Sequence, residues 1–144
     1  MNINELRRQH QELSTIAKEI LRAVQDEDRP QSVGPIRWHL ARQLMSHLAL
    51  EDRIFYPAMQ RLSDKPARTA AQQLRSQVGT LAQDFSTYMH RWNDDKVARQ
   101  WAEFCADTRK IMAALRTRVD QEERLLFPLA EAAERNAAAM SKTG

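Results

Sequence analysis

Apolar residues recur along most of this chain at spacings of three, four and seven, the period of a helix with one buried face. Leu6, Leu13, Ala17, Ile20, Leu21 and Val24 form the first stripe, with Asn4 as a cap for its start. Residues 26–35, Asp-Glu-Asp-Arg-Pro-Gln-Ser-Val-Gly-Pro, break it. A second helix is predicted from about Ile36 to Leu62, with Leu40, Leu44, Leu48 and Phe55 on its stripe. Ser63-Asp64-Lys65-Pro66 interrupts again, and Pro66 suits the first turn of a new helix. The third stripe is Leu74, Val78, Leu81, Phe85, Tyr88 and Trp92, closed by Asn93-Asp94-Asp95, which also supplies caps for a fourth helix. Val97, Trp101, Phe104, Ile111, Leu115, Val119, Leu126 and Leu129 make the stripe of that helix, whose final turns Pro128 should kink or loosen. Residues 1–135 then read as one domain, and 136–144 as a flexible, frayed tail. Four amphipathic helices joined by short loops predict an all-α, up-down-up-down antiparallel four-helix bundle.

Composition narrows the function classes. With 144 residues the chain holds one core. Glycine is scarce, with 3, while Ala, Leu, Arg, Gln and Glu dominate, a mixture that favours helix throughout. A net charge of +3 with both signs interspersed gives no basic stripe, so no nucleic-acid partner is expected. The single Cys105 excludes an internal disulfide and suits a reducing compartment. The first residues lack the apolar run of a signal peptide, and no segment reaches transmembrane length. The expectation is a cytoplasmic protein with no membrane partner, as monomer or homodimer.

Ionisable residues interrupt three of the stripes. His10 falls between Leu6 and Leu13, His47 follows Leu44 by three, and Glu51 follows Leu48 by three. Arg118 and Glu122 continue the spacing of Ile111 and Leu115. A lone interior His is usually a satisfied core residue, but burying a lone carboxylate costs several kcal/mol. His10 lies about 16 residues before the first loop and His47 about 12 after it, so antiparallel packing brings them to one depth. His10, His47, Glu51, Glu122 and Arg118 are expected to meet.

Part of this constellation is a repeat. His47-Leu-Ala-Leu-Glu51-Asp-Arg-Ile-Phe-Tyr-Pro57 returns 71 positions later as Arg118-Val-Asp-Gln-Glu122-Glu-Arg-Leu-Leu-Phe-Pro128. The first head residue can ligate a metal; its counterpart, an arginine, cannot. Together with Arg-Arg-Gln-His10-Gln-Glu on the first helix, these stretches resemble the hemerythrin-like (HHE cation-binding) domains over essentially the whole chain. The resemblance implies a four-helix bundle whose interior His and carboxylate residues hold iron, usually as a pair, for dioxygen or nitric oxide binding, sensing or peroxide chemistry. Carried over position by position, it implies His10, His47, Glu51 and Glu122 as metal ligands. The family's helix-four His falls on Arg118, and its helix-three His falls near residues 77–81, where Gln77 and Thr80 stand as weak or supporting contacts.

Charge leaves two readings open. Two neutral His and two carboxylates suit one divalent ion, a two-His-plus-carboxylate site, and four ligands are too few for two irons. An Arg118 guanidinium about 5 Å from a divalent ion opposes it by roughly 6 kcal/mol at an effective dielectric near 20. Alternatively, Arg118 pairs with Glu51 and Glu122 and replaces the cation. An interior bridge of that kind argues against any metal. The function implied is a binding or sensor protein, rather than a turnover enzyme, for iron and a diatomic or peroxide ligand, with one metal or none. Its rival is a metal-free regulatory bundle acting through a protein partner.

Other residues carry less. His39 and His90 lie off the stripes and read as peripheral. Trp38, Trp92 and Trp101 read as core or rim packing, and Cys105 lacks an acid-base partner. Arg7, Arg8, Arg37, Arg42 and Arg99 read as solvated surface.

Overall fold

The computed structural model describes residues 1–143, and every regular element among them is helical. Gly144, the end of the expected tail, lies outside the described residues. Helix α1 spans Ile3–Ala23, and α2 spans Gly34–Leu50. A π-helical turn, Glu51–Phe55, joins α2 to α3, Tyr56–Gln60. Then come α4 (Lys65–Val78), α5 (Leu81–Arg91) and the short α6 (Asp94–Arg99). Helix α7 (Trp101–Gln121) runs through a second π turn, Glu122–Leu126, into α8 (Phe127–Thr143). No helix among the described residues is long and apolar enough to cross a membrane.

Local chemistry explains the boundaries. The cap of α1 is Asn2, not Asn4: its Oδ1 accepts from the Glu5 N–H at 3.0 Å. Starting there lets Ile3 join the core, where it is buried. Asp64 and Asn93 cap α4 and α6 in the same way, at 3.0 and 2.8 Å. The third predicted helix is two. Helix α4 closes at Gly79, whose N–H donates to the Arg75 carbonyl at 2.8 Å and where a β-carbon would collide with that oxygen. The fourth is also divided, at Gln100 between α6 and α7. Proline lacks the N–H that would reach four residues back, yet Pro57 and Pro128 do not end their helices. The irregularity precedes each one: the Tyr56 N–H donates to Glu51, and the Phe127 N–H to Glu122, each five residues back.

Two apolar clusters form the core. The larger gathers Leu13, Ile16 and Ile20 of α1, Leu40, Leu44 and Leu48 of α2, Phe85 and Tyr88 of α5, and Phe104, Met112 and Leu115 of α7. The smaller gathers Ile3 and Leu6, Phe55 and Met59, Ala71 and Leu74, and Leu126 and Phe127. Helix α1 packs on α2 and α7, α5 on α2 and α7, and α4 on α3 and α7. The polar positions fall at the seam: His10 between Leu6 and Leu13, Glu51 between Leu48 and Phe55, Glu122 between Leu115 and Leu126. Apolar layers thus lie on either side of the polar seam.

One arginine departs from expectation. Arg37 is buried, not solvated. Its Nη2 donates to the Trp92 carbonyl at 2.8 Å, at the C-terminus of α5 where the helix dipole favours a cation. The guanidinium also lies 5.4 Å from the Tyr88 ring centre and 5.2 Å from that of Phe104. Trp92 and Trp101 are core residues, whereas Trp38 is 58% exposed. Cys105 is enclosed, and burial pushes its thiol pKa up, which disfavours the nucleophilic thiolate. Replacing Arg37 by Ala removes a charge-assisted hydrogen bond and two ring contacts, an expected loss of about 2–4 kcal/mol. Urea unfolding measures it, and a loss within experimental error would show that the clasp does not hold α2 to α5.

Candidate metal centre

Two helical spacings build the centre. His47 and Glu51 are four apart at the end of α2, so both point to one side, with His47 Nε2 3.1 Å from Glu51 Oε2. Arg118 and Glu122, four apart at the end of α7, repeat this: Arg118 Nε lies 3.2 Å from Glu122 Oε2. Each π turn begins at the glutamate. Such turns are frequent at functional sites, because one extra residue re-aims the side chains around it. Helix α1 contributes His10, whose Nε2 lies 3.3 Å from Glu51 Oε2 and 3.1 Å from Glu122 Oε1.

All five residues are buried, both glutamates completely. The carboxylates are divided between two partners. Glu51 Oε2 and Glu122 Oε1 face the histidines. Glu51 Oε1 and Glu122 Oε2 face Arg118, at 3.0 Å from Nη2 and 3.2 Å from Nε. Arg118 is fully engaged: Nη2 also meets Asp52 Oδ1 at 2.7 Å, and Nη1 donates to the Val78 carbonyl at 3.2 Å. Val78 is the last residue of α4, so the interruption at Gly79 leaves its carbonyl available. The guanidinium also lies 5.4 Å from the Tyr56 ring centre.

Outer contacts fix the ligand orientations. His47 Nδ1 pairs with Gln9 Oε1 at 2.7 Å and His10 Nδ1 with Glu123 Oε1 at 3.0 Å. These Nδ1 contacts turn both Nε2 atoms inward, toward the carboxylates. Phe127 stacks on His10 with ring centres 5.2 Å apart, and the Tyr56 hydroxyl donates to Glu122 Oε2 at 2.8 Å. Burial alone would lower the His10 pKa, but Glu122 and Glu51 outweigh it and hold it up at about 10. Burial would raise Glu51, yet hydrogen bonds from its neighbours hold it well below the usual carboxylate range. Burial and the Glu51 charge push Glu122 up to about 8. The glutamates therefore titrate as a pair, one ionised and one resisting ionisation.

The donor set fits one cation. One ligand atom each from His10, His47, Glu51 and Glu122 lie within 4.8 Å of one another. Bonds of about 2.0–2.2 Å in a tetrahedral site would set such atoms roughly 3.3–3.6 Å apart. His47 Nε2 and Glu122 Oε1 are buried without a well-aligned hydrogen bond, although Glu51 Oε2 and His10 Nε2 lie 3.1 Å from them. Buried polar atoms this close together, and poorly satisfied by one another, are what a cation would satisfy. A second ion fits poorly, because the guanidinium occupies the opposite oxygens of both carboxylates. The bridge expected to argue against any metal is thus present, but it uses only half of each carboxylate.

The structure brings together His10, His47, Glu51, Glu122 and Arg118. Gln77 and Thr80 are exposed, and the backbone of Val78 makes the α4 contact instead. His39 and His90 are exposed. Sequence reasoning missed Gln9, Asp52, Tyr56, Glu123 and Phe127. Four of these were signalled by the repeat: Asp52 and Glu123 occupy equivalent positions, as do Tyr56 and Phe127. Gln9 had no such signal.

Replacing Arg118 by Met leaves two buried carboxylates without their cation, an expected loss of about 3–5 kcal/mol. In Arg118→Met/Glu122→Gln the loss should be smaller than the sum of the single losses. Strict additivity in urea unfolding would show that the two side chains do not interact.

The family model of the hemerythrin HHE cation-binding domain matches residues 1–130. No curated protein and no solved structure matches. A match over nearly the whole chain, centred on a buried cluster of histidine and glutamate, identifies it: the chain belongs to the hemerythrin HHE cation-binding domain family.

Proposed function

We propose that this protein is a cytoplasmic binding or sensor module that holds a single metal ion, iron by the family's habit, through His10, His47, Glu51 and Glu122. The observation that carries the reading is the division of the two carboxylates, one oxygen of each toward the histidines and the other toward Arg118. Imidazole with carboxylate is a donor set that iron accepts. An ion held there would supply Lewis-acid affinity for a diatomic or peroxide ligand. The protein's own residues orient the imidazoles through Gln9 and Glu123 and exclude water with Phe127 and Tyr56.

The contacts of α1, α2, α4, α5 and α7 support an up-down-up-down four-helix bundle, with the α4–α5 run as the third rod and α7–α8 as the fourth. Residues 1–135 are its domain, and 136–144 its tail. A metal-free regulatory bundle is the second reading, and the Arg118 bridge favours it. Charges on His10 and Arg118 can balance Glu51 and Asp52 while Glu122 keeps its proton.

Metal analysis of protein from iron-supplemented cells separates the readings. A single equivalent of iron, lost in His47→Ala and Glu51→Gln, is the expected result. Folded protein without metal under those conditions would overturn the metal reading. Arg118→His removes the competing cation and supplies a ligand, so it should raise affinity or stoichiometry. Unchanged loading would overturn the place assigned to Arg118.

A further inference from the structure

A cavity of about 490 Å³ runs between α1 and α7, open to solvent, with His10 among its walls. Its volume is that of a small-molecule site. Leu13, Leu21, Met112 and Val119 give it an apolar lining, and Leu21 is 38% exposed there without a protein partner to cover it. Three cations line the same groove, Lys18, Arg109 and Arg116, against one carboxylate, Asp120. Arg109 is engaged, donating to the Val24 carbonyl at 3.0 Å and to Glu27. Lys18 has no carboxylate partner among the described residues. Arg116 is 84% exposed and has only a distant one, Asp120 at 3.9 Å. An apolar trough with two available cations complements a molecule with a short hydrocarbon tail and an anionic head.

We infer that the α1–α7 groove binds a small amphipathic carboxylate, its tail on Leu13, Leu21, Met112 and Val119 and its head toward Lys18 and Arg116. His10 is among the lining residues, so an occupant would lie beside one member of the metal centre. Binding itself does not require metal.

Titration calorimetry of the full-length protein with octanoate tests this, with octyltrimethylammonium and acetate as controls. Saturable octanoate binding is expected, with neither control bound. Lys18→Glu/Arg116→Glu should weaken it at least about tenfold, a change of about 1.4 kcal/mol. Ala113 lines the groove and is exposed, so Ala113→Trp should fill it without entering the core and abolish binding while circular dichroism stays unchanged. Absent octanoate binding, equal binding of the ammonium compound, or wild-type affinity in Ala113→Trp would each overturn the inference.

Discussion

Two carboxylates with no solvent exposure impose the main constraint on this structure. Glu51 and Glu122 lie together between two apolar layers, where an unpaired carboxylate costs several kcal/mol. Every unusual feature near the seam answers that cost. Arg118 comes from the same helix as Glu122, the Tyr56 hydroxyl is donated, and His10 arrives from α1. Even the interruption of α4 takes part, since the Val78 carbonyl accepts from Nη1 of the guanidinium.

The two copies of the repeated motif do equivalent jobs with different chemistry. His47 and Arg118 each sit one turn before a glutamate and reach its carboxylate. Asp52 and Glu123 come directly after those glutamates, and each reaches across to another helix: Asp52 to Arg118, Glu123 to His10. Tyr56 and Phe127 then roof the two halves, Tyr56 against the guanidinium and Phe127 against the imidazole. The centre is therefore pseudo-symmetric in position and asymmetric in charge, with imidazoles on one side of the carboxylate pair and a guanidinium on the other.

This explains how much was legible in the chain. Polar residues at helical spacing inside apolar stripes located His10, His47, Glu51, Arg118 and Glu122, because a buried charge is improbable without partners. Asn4, Arg37 and the helix breaks were misread, for a different reason. Capping by Asn2 depends on whether Ile3 is needed in the core, which only packing decides. Arg37 looks like any surface arginine until the C-terminus of α5 and the rings of Tyr88 and Phe104 surround it. The stripe from Leu74 to Trp92 keeps its period across Gly79, so periodicity alone predicts one helix where the backbone makes two. Gln9 meets His47 only because α1 and α2 pack at one particular register.

A guanidinium beside the carboxylate pair alters what the site can do. Its charge is covalently attached and stays on the protein at any physiological pH. The bridge to Glu51 and Glu122 therefore persists whether or not a metal is bound, and the interior keeps most of its charge compensation without one. Small metal domains that fold only when loaded lack this property. On the single-ion reading, loading and unloading would act on the two histidines and the inward oxygens, within a frame that Arg118 already holds closed. That separation of scaffold from ligand would let the ion come and go without unfolding the bundle.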